Sequence, residues 1–394
     1  MQTLDSTFNS QQLSADWSYP TPIWFGVERV TELVNGCELL GKQRPLVVID
    51  AMLVEHPLIV MALEQCTQAG IDLQIFSAFR SDPDTEMLER GVGAFNEYTR
   101  DMVIGIGGGS ALDLAKAIAF MAVQTQPIWT FESLPNLWKA ANDKLPPIIS
   151  VPTTAGTGAE VGRAAVLLDL VENRKRLIFH PKMLSSLVIV DPALTLTVPA
   201  AVSAAVGIDA FSHAFEAYCA NAFHPMGDGI ALQAMSLIKH WLPIVVQDTT
   251  NLQARCYLSA AALMGAVAFH KGLGAVHAIS HSIGGVYGTH HGLTNGVLLP
   301  YVVAYNRPVI EAKLVRLSEN LNLAQPGYES FVAWLKDFLA SLGIPERLSE
   351  LIHAPFDAEY IAQLAATDPT ARTNPQALST QQYKTIIDNA WFGY

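Results

Sequence analysis

Met102-Val103-Ile104-Gly105-Ile106-Gly107-Gly108-Gly109-Ser110-Ala111-Leu112-Asp113 decides the fold. A short, unbroken apolar run reads as a strand buried on both faces. The glycine cluster after it marks a tight turn, and a helix-period stretch continues through Val123. Free backbone N–H groups and the helix dipole at such a strand-to-helix turn favour a phosphate, and glycines let the backbone approach it closely. The literal fingerprint G-x-G-x-x-G fails because position 110 is Ser, so the cluster alone is a weak signal.

The same alternation extends outward. Upstream, Leu46-Val47-Val48-Ile49 ends in Asp50, a helical stretch runs to Gly70, a second apolar run covers 71–76, and a helix follows Pro83. Downstream, strands are expected at 147–151, 164–168, 176–179 and 187–190, the last closed by Asp191-Pro192. Short apolar runs separated by amphipathic segments indicate parallel strands with crossover helices. After Val198-Pro199 the sequence turns rich in Ala, Leu and Met at spacings of three and four, which reads as helical. The expected architecture is an α/β, Rossmann-like dinucleotide-binding domain over 1–198, followed by an all-α, metal-binding and catalytic domain over 199–394.

Composition narrows the function classes. Half of the 394 residues are apolar and 15% are charged, so the chain can bury a large core and is globular. With 24 basic against 36 acidic residues and no dense Lys/Arg cluster, nucleic acid is not an expected partner. The start, Met1-Gln2-Thr3-Leu4-Asp5-Ser6, lacks the pattern of a signal peptide, and apolar stretches such as 111–123 and 259–269 are too short to cross a bilayer. Neither secretion nor a membrane span is expected. Cys37, Cys66, Cys219 and Cys256 are scattered without a C-x-x-C, which suits a reducing compartment, the cytoplasm.

A second loop, Pro152-Thr153-Thr154-Ala155-Gly156-Thr157-Gly158-Ala159-Glu160, follows an expected strand and offers three hydroxyls with two glycines. It can hydrogen-bond a pyrophosphate or ribose without bulk. Ligands of open α/β sheets lie at the carboxyl ends of strands, where both loops fall. Asp50 falls there too. Its carboxylate can accept hydrogen bonds from the ribose hydroxyls of NAD and would repel the 2′-phosphate of NADP, while Ala51, Met52 and Leu53 offer no offsetting charge. Asp50 can equally serve as a helix N-cap.

In the helical half, Asp209 and His213 stand four apart, hence on one helix face, and His277 and His281 repeat the spacing. Five of eleven histidines, His270, His277, His281, His290 and His291, fall within one short stretch. Imidazole and carboxylate together suit Zn2+ or Fe2+. Spacing leaves open which later histidines bind: His277 with His281 fits helix geometry, and His277 with His291 frees His281 for proton work.

These motifs resemble those of the iron-containing (group III) alcohol dehydrogenases. The resemblance rests on 107–113, 152–160, 207–216 and 274–295, the last two highly specific, and extends from about Pro22 to Trp391. It implies a dinucleotide in the cleft between the domains and one divalent metal held from the helical side by Asp209, His213, His277 and His291, with His281 close to the nicotinamide and catalytic. It also implies cofactor contacts from Gly107, Gly108, Gly109, Ser110 and Asp113, from Thr153, Thr154 and Thr157, from Lys175 near a ribose, and from Asp50 at the adenosine ribose. Two positions depart from the family pattern: Ala159 stands where Ser is usual, and Asp82 where Asn is usual.

The expected activity is that of an NAD-linked alcohol dehydrogenase acting on a small alcohol or aldehyde. NADP is the alternative dinucleotide, Fe2+ or Zn2+ the Lewis acid, and a homodimer or larger homo-oligomer the assembly. The rival readings are a zinc-dependent polyol dehydrogenase, a cyclising lyase, and a catalytically silent assembly protein on the same scaffold. The lyase needs basic residues for a phosphorylated acid, and the region around the later metal motif offers only Lys271.

Overall fold

The computed structural model describes residues 21–132, 137–172 and 174–393. The first six residues, where a signal peptide would begin, lie outside them. Six parallel strands form one sheet: β1 (Ile23–Phe25), β2 (Pro45–Ile49), β3 (Gln74–Phe76), β4 (Met102–Gly107), β5 (Ile148–Pro152) and β8 (Leu187–Val190), in the order β1-β8-β5-β4-β2-β3. Every residue of β2, β4, β5 and β8 is buried, as their apolar runs require. Helices α1 (Leu33–Leu40) and α2 (Pro57–Gln68) pack with Val47, Ile49, Ile104 and Ile149 on one face. On the other face α3 (Thr85–Glu97) and α4 (Gly109–Met121) pack with Leu46, Val48 and Val103. This is the Rossmann-like α/β layer.

Two details differ from the sequence reading. Strand β6 (Ala164–Asp169) and strand β7 (Arg174–Phe179) leave the sheet and pair with each other as an antiparallel hairpin. Alternate residues of β6 are buried, the pattern of a ribbon with one wet face. The other difference is β1, which pairs with β8 at the far edge through Ile23 opposite Val188. Three residues of edge strand carry too little periodicity to register in sequence.

The chain runs from β2 outward to β3, then returns past β2 to β4, so the topological switch point lies between β2 and β4. Crevices of this kind bind ligands at the carboxyl ends of the strands.

After β8 the chain is helical: α5 (Ala200–Cys219), α6 (Pro225–Gln247), α7 (Leu252–Ala268), α8 (Ala275–Tyr287), α9 (His291–Asn320), α10 (Tyr328–Ser341), α11 (Ala358–Thr367) and α12 (Thr380–Phe392). Helix α5 is the central rod, with Ser203 through Cys219 all buried. The expectation that no stretch reaches membrane-spanning length is corrected here. Segments Pro225–Gln247 and Leu252–Lys271 are long and apolar enough by length and composition, because helices continue through the glycines and single charges that interrupt the apolar run. In the fold, α6 and α7 turn Leu232, Met235, Ile238, Leu242 and Leu258 into the core around α5.

Candidate metal and cofactor site

Asp50 and the glycine loop flank the switch point. The Asp50 amide faces the Ile106 carbonyl at 3.4 Å, and the Asp50 carboxylate accepts from the Met52 amide at 3.0 Å, capping a short turn of 3-10 helix at Ala51–Leu53. The cap engages Oδ1.

Gly107 has φ +150, a conformation L side chains rarely adopt, and a Cβ there would sit 2.6 Å from Ala111 Cβ. Only glycine allows α4 to start so close to the end of β4. The threonine loop lies beside it: the Thr153 amide donates to the Gly107 carbonyl at 3.0 Å, and the Thr157 methyl stands 3.0 Å from where a Gly109 Cβ would be. The two loops thus form one cradle, with the free N–H groups at the start of α4 beneath it. On its far side, Gly156 abuts Val206 of α5, which joins the cradle to the helical domain.

Asp113 turns away from this cradle. Its carboxylate accepts from the Val166 amide at 3.1 Å and pairs with Lys116 at 2.9 Å. The fully buried Lys116 also donates to the carbonyls of Ala159 and Ala164. Together they tie α4 to the threonine loop and the hairpin. Lys175, on β7, pairs with Asp82 at 2.5 Å, and the Asp82 amide donates to the Ser110 hydroxyl at 3.3 Å. The departure at Asp82 therefore gives Lys175 a full ionic partner at the edge of the cradle. The Lys175 ammonium also reaches toward Gly284 on α8, bridging the domains.

The structure brings Asp209, His213, His277 and His291 together from three helices, with one ligand atom of each within 4.8 Å of every other. Asp209 and His213 sit on α5, His277 on α8, and His291 opens α9. Gly292 permits the last approach, since a Cβ there would meet the Ala205 carbonyl at 2.2 Å. The Nε2 atoms of His213, His277 and His291 stand 3.5, 3.7 and 3.5 Å from Asp209 Oδ1. These separations are close to the roughly 3.4 Å between ligand atoms that bonds of about 2.1 Å to one tetrahedral ion would give. Three imidazoles and one carboxylate are the donor set of Fe2+ and Zn2+ sites, and the group fits such an ion.

The surroundings tune these donors. Glu216, one helical turn beyond His213, accepts from His277 Nδ1 at 2.6 Å and from the Val276 amide at 2.7 Å. That hydrogen bond turns the His277 Nε2 edge toward Asp209. Burial opposes charge on His277, and Asp209 and Glu216 override it, raising the imidazole to about 9. Burial lowers His213 to about 4 and pushes His291 well below its ordinary value. Burial also works against the Asp209 carboxylate, but His213 and its neighbours hold it well below the usual carboxylate range. Asp209 would thus offer an ion an ionised carboxylate and His213 and His291 neutral imidazoles, while His277 would have to give up a proton to bind it.

His281 stands outside the four. Its ring stacks on His291 with centroids 5.3 Å apart, and its Nδ1 lies 3.1 Å from Asp368 Oδ2. Burial works against the Asp368 charge, while His281 and Thr370 hold the carboxyl below its usual range. Beside His281 opens a cavity lined by Val166, Lys175, Leu177, Ser282, Leu364 and Thr367.

Sequence reasoning assigns no role to Glu216, Asn295 or Asp368, nor to Ser280, whose hydroxyl lies 3.0 Å from His291 Nδ1. The first two carry a signal: Asp209, His213 and Glu216 follow helical spacing, as do His291 and Asn295. Asp368, 87 residues beyond His281, carries none.

Comparison with known proteins gives the family. The family profile for iron-containing alcohol dehydrogenase matches residues 20–192, and that for the Fe-containing alcohol dehydrogenase family, C-terminal, matches 203–391. The chain is 34% identical over 369 residues to the NAD-dependent methanol dehydrogenase of Bacillus methanolicus, covering 92% of this chain and 96% of that one. It is 32% identical over 385 residues to the 1,3-propanediol dehydrogenase of Klebsiella pneumoniae, covering 95% and 98%. Among solved structures, a 1,3-propanediol oxidoreductase superposes with a TM-score of 0.91 at 32% identity, covering 96% of this chain and 100% of that one. A sulfoacetaldehyde reductase from Bifidobacterium kashiwanohense, in complex with NAD+, gives 0.87 at 25% identity over 96% and 98%. With both profiles matched across nearly the whole length, this chain belongs to the iron-containing alcohol dehydrogenase family.

Proposed function

We propose that this chain interconverts a small alcohol and its aldehyde with NAD as the hydride carrier, using a divalent ion held by Asp209, His213, His277 and His291. The observation that carries the reading is the convergence of those four donors beside His281, with the glycine–threonine cradle reaching the same helix α5 through Gly156. When bound, the ion supplies Lewis acidity toward the alcohol oxygen and the nicotinamide supplies the hydride acceptor. Gly107, Gly108, Gly109 and Ser110 hold the pyrophosphate at the start of α4, and Thr153, Thr154 and Thr157 close over it. Asp50 binds the adenosine ribose through the oxygen its cap leaves free and disfavours NADP. Lys175, steadied by Asp82, lies toward the second ribose. Asp113 acts through Lys116, as a positioning residue for the cradle. His281, oriented by Asp368, passes the alcohol proton toward solvent.

The metal is Fe2+, with Zn2+ compatible with the same donors. The domains divide near Pro199, at 198/199. The four cysteines are free, which supports a reducing compartment, the cytoplasm, and the family resemblance supports a homodimer or larger homo-oligomer. The test is a panel of linear alcohols, diols and aldehydes against NAD(H) and NADP(H) on Fe2+-reconstituted protein. Alcohol-dependent NADH formation is expected; its absence across the panel overturns the proposal.

A further inference from the structure

Asn295 follows His291 by one helical turn on α9 and is fully buried. Its amide nitrogen lies 2.7 Å from Asp209 Oδ1, 3.1 Å from His291 Nε2 and 3.3 Å from His277 Nε2. It touches three of the four converging donor atoms, donating to Asp209 Oδ1, and none of these contacts is with His213. An atom in contact with three corners of a four-cornered cluster lies over the face those corners define. The remaining faces all include His213.

The orientation of the amide follows from chemistry. Turned the other way, the Asn295 carbonyl oxygen would meet Asp209 Oδ1 at close range, two acceptors face to face. As it stands, the carbonyl oxygen is buried without a hydrogen-bond partner. A buried acceptor left unpaired is costly, so this arrangement is unfavourable as packing alone. What it retains is an N–H donor for Asp209 Oδ1, with the amide nitrogen seated against the Nε2 edges of His277 and His291. The direct bond to Asp209 also fixes which carboxylate oxygen faces the imidazoles.

We propose that Asn295 is a positioning residue of the metal centre, whose amide closes the Asp209–His277–His291 face and holds Asp209 Oδ1 toward the imidazoles, so that a further oxygen ligand enters only past His213. The inference rests on the reading of the four-residue cluster as the metal site. A closed face limits the coordination number and slows loss of the ion, and neither effect depends on turnover.

The experiment uses Co2+-substituted full-length protein, comparing the wild type with Asn295→Ala by visible absorption and by the rate of Co2+ release to a chelator. Opening the face admits a water, so the variant is expected to show the weaker absorption of a higher coordination number. It is also expected to release Co2+ about tenfold faster or more. Asn295→Ser, which keeps a small hydroxyl donor, carries the same comparison if the alanine variant does not fold. An unchanged spectrum and release rate, even with a lowered melting temperature, marks a packing role and overturns the inference. Failure of the wild type to take up Co2+ overturns the metal reading and this inference with it, whereas uptake by wild type and variant with identical spectra and release rates overturns the role of Asn295 alone.

Discussion

His277 donates its Nδ1 proton to Glu216 at 2.6 Å, and this bond determines that the opposite nitrogen faces the metal-binding donors. Hydrogen-bonded carboxylates behind a ligating imidazole fix its tautomer and raise its basicity. Glu216→Gln keeps the shape and removes the charge. Metal affinity is expected to fall by about 10–100-fold, read by competition with a chelator. Equal affinity in variant and wild type would show that backbone packing alone orients His277.

His281 and Asp368 are expected to act as a pair in proton transfer. His281→Ala should keep the metal and lower turnover by about 10²-fold or more, with an altered pH–rate profile. Asp368→Asn should show a smaller loss in the same direction. Metal analysis alongside kcat separates the roles: loss of the ion in His281→Ala, with His291→Ala retaining it, would return His281 to the ligand set that helix spacing alone allowed.

Asp50 caps the turn at Ala51–Leu53, and in the proposed reading it also meets the adenosine ribose. Its Oδ1 accepts from Met52, so Asp50→Gly removes a cap, for which glycine is a fair substitute costing only a few tenths of a kcal/mol. The larger change is expected in cofactor choice. Relief of a repulsion of about 1.4 kcal/mol raises relative NADP use about tenfold. The ratio of kcat/KM for NAD and NADP in wild type and variant decides it, and an unchanged ratio leaves Asp50 as a cap only.

Much of this molecule is legible in its residues because the decisive signals are local. Strands buried on both faces, such as 46–49 and 102–106, announce themselves as apolar runs, and Asp209 with His213 follows the helical repeat. The choice of His291 over His281 is not local. It depends on Gly292 letting α9 approach the Ala205 carbonyl, a contact between segments far apart in sequence. The segments of β6 and β7 read as strands, but nothing in their residues says that they leave the sheet. Asp113 reads as a cofactor residue from its motif, while its carboxylate is engaged by Val166 and Lys116. The length of α6 and α7 escapes a search for apolar runs because single glycines and charges interrupt a run of letters without interrupting a helix.

The central claim is that Asp209, His213, His277 and His291 hold one catalytic ion. The most direct measurement is metal content by elemental analysis, paired with alcohol-dependent NADH formation, on the wild type, His277→Ala and His291→Ala. The account predicts about one divalent ion per chain in the wild type and loss of both ion and activity in each variant. Full metal occupancy in both variants, with activity retained, would contradict it.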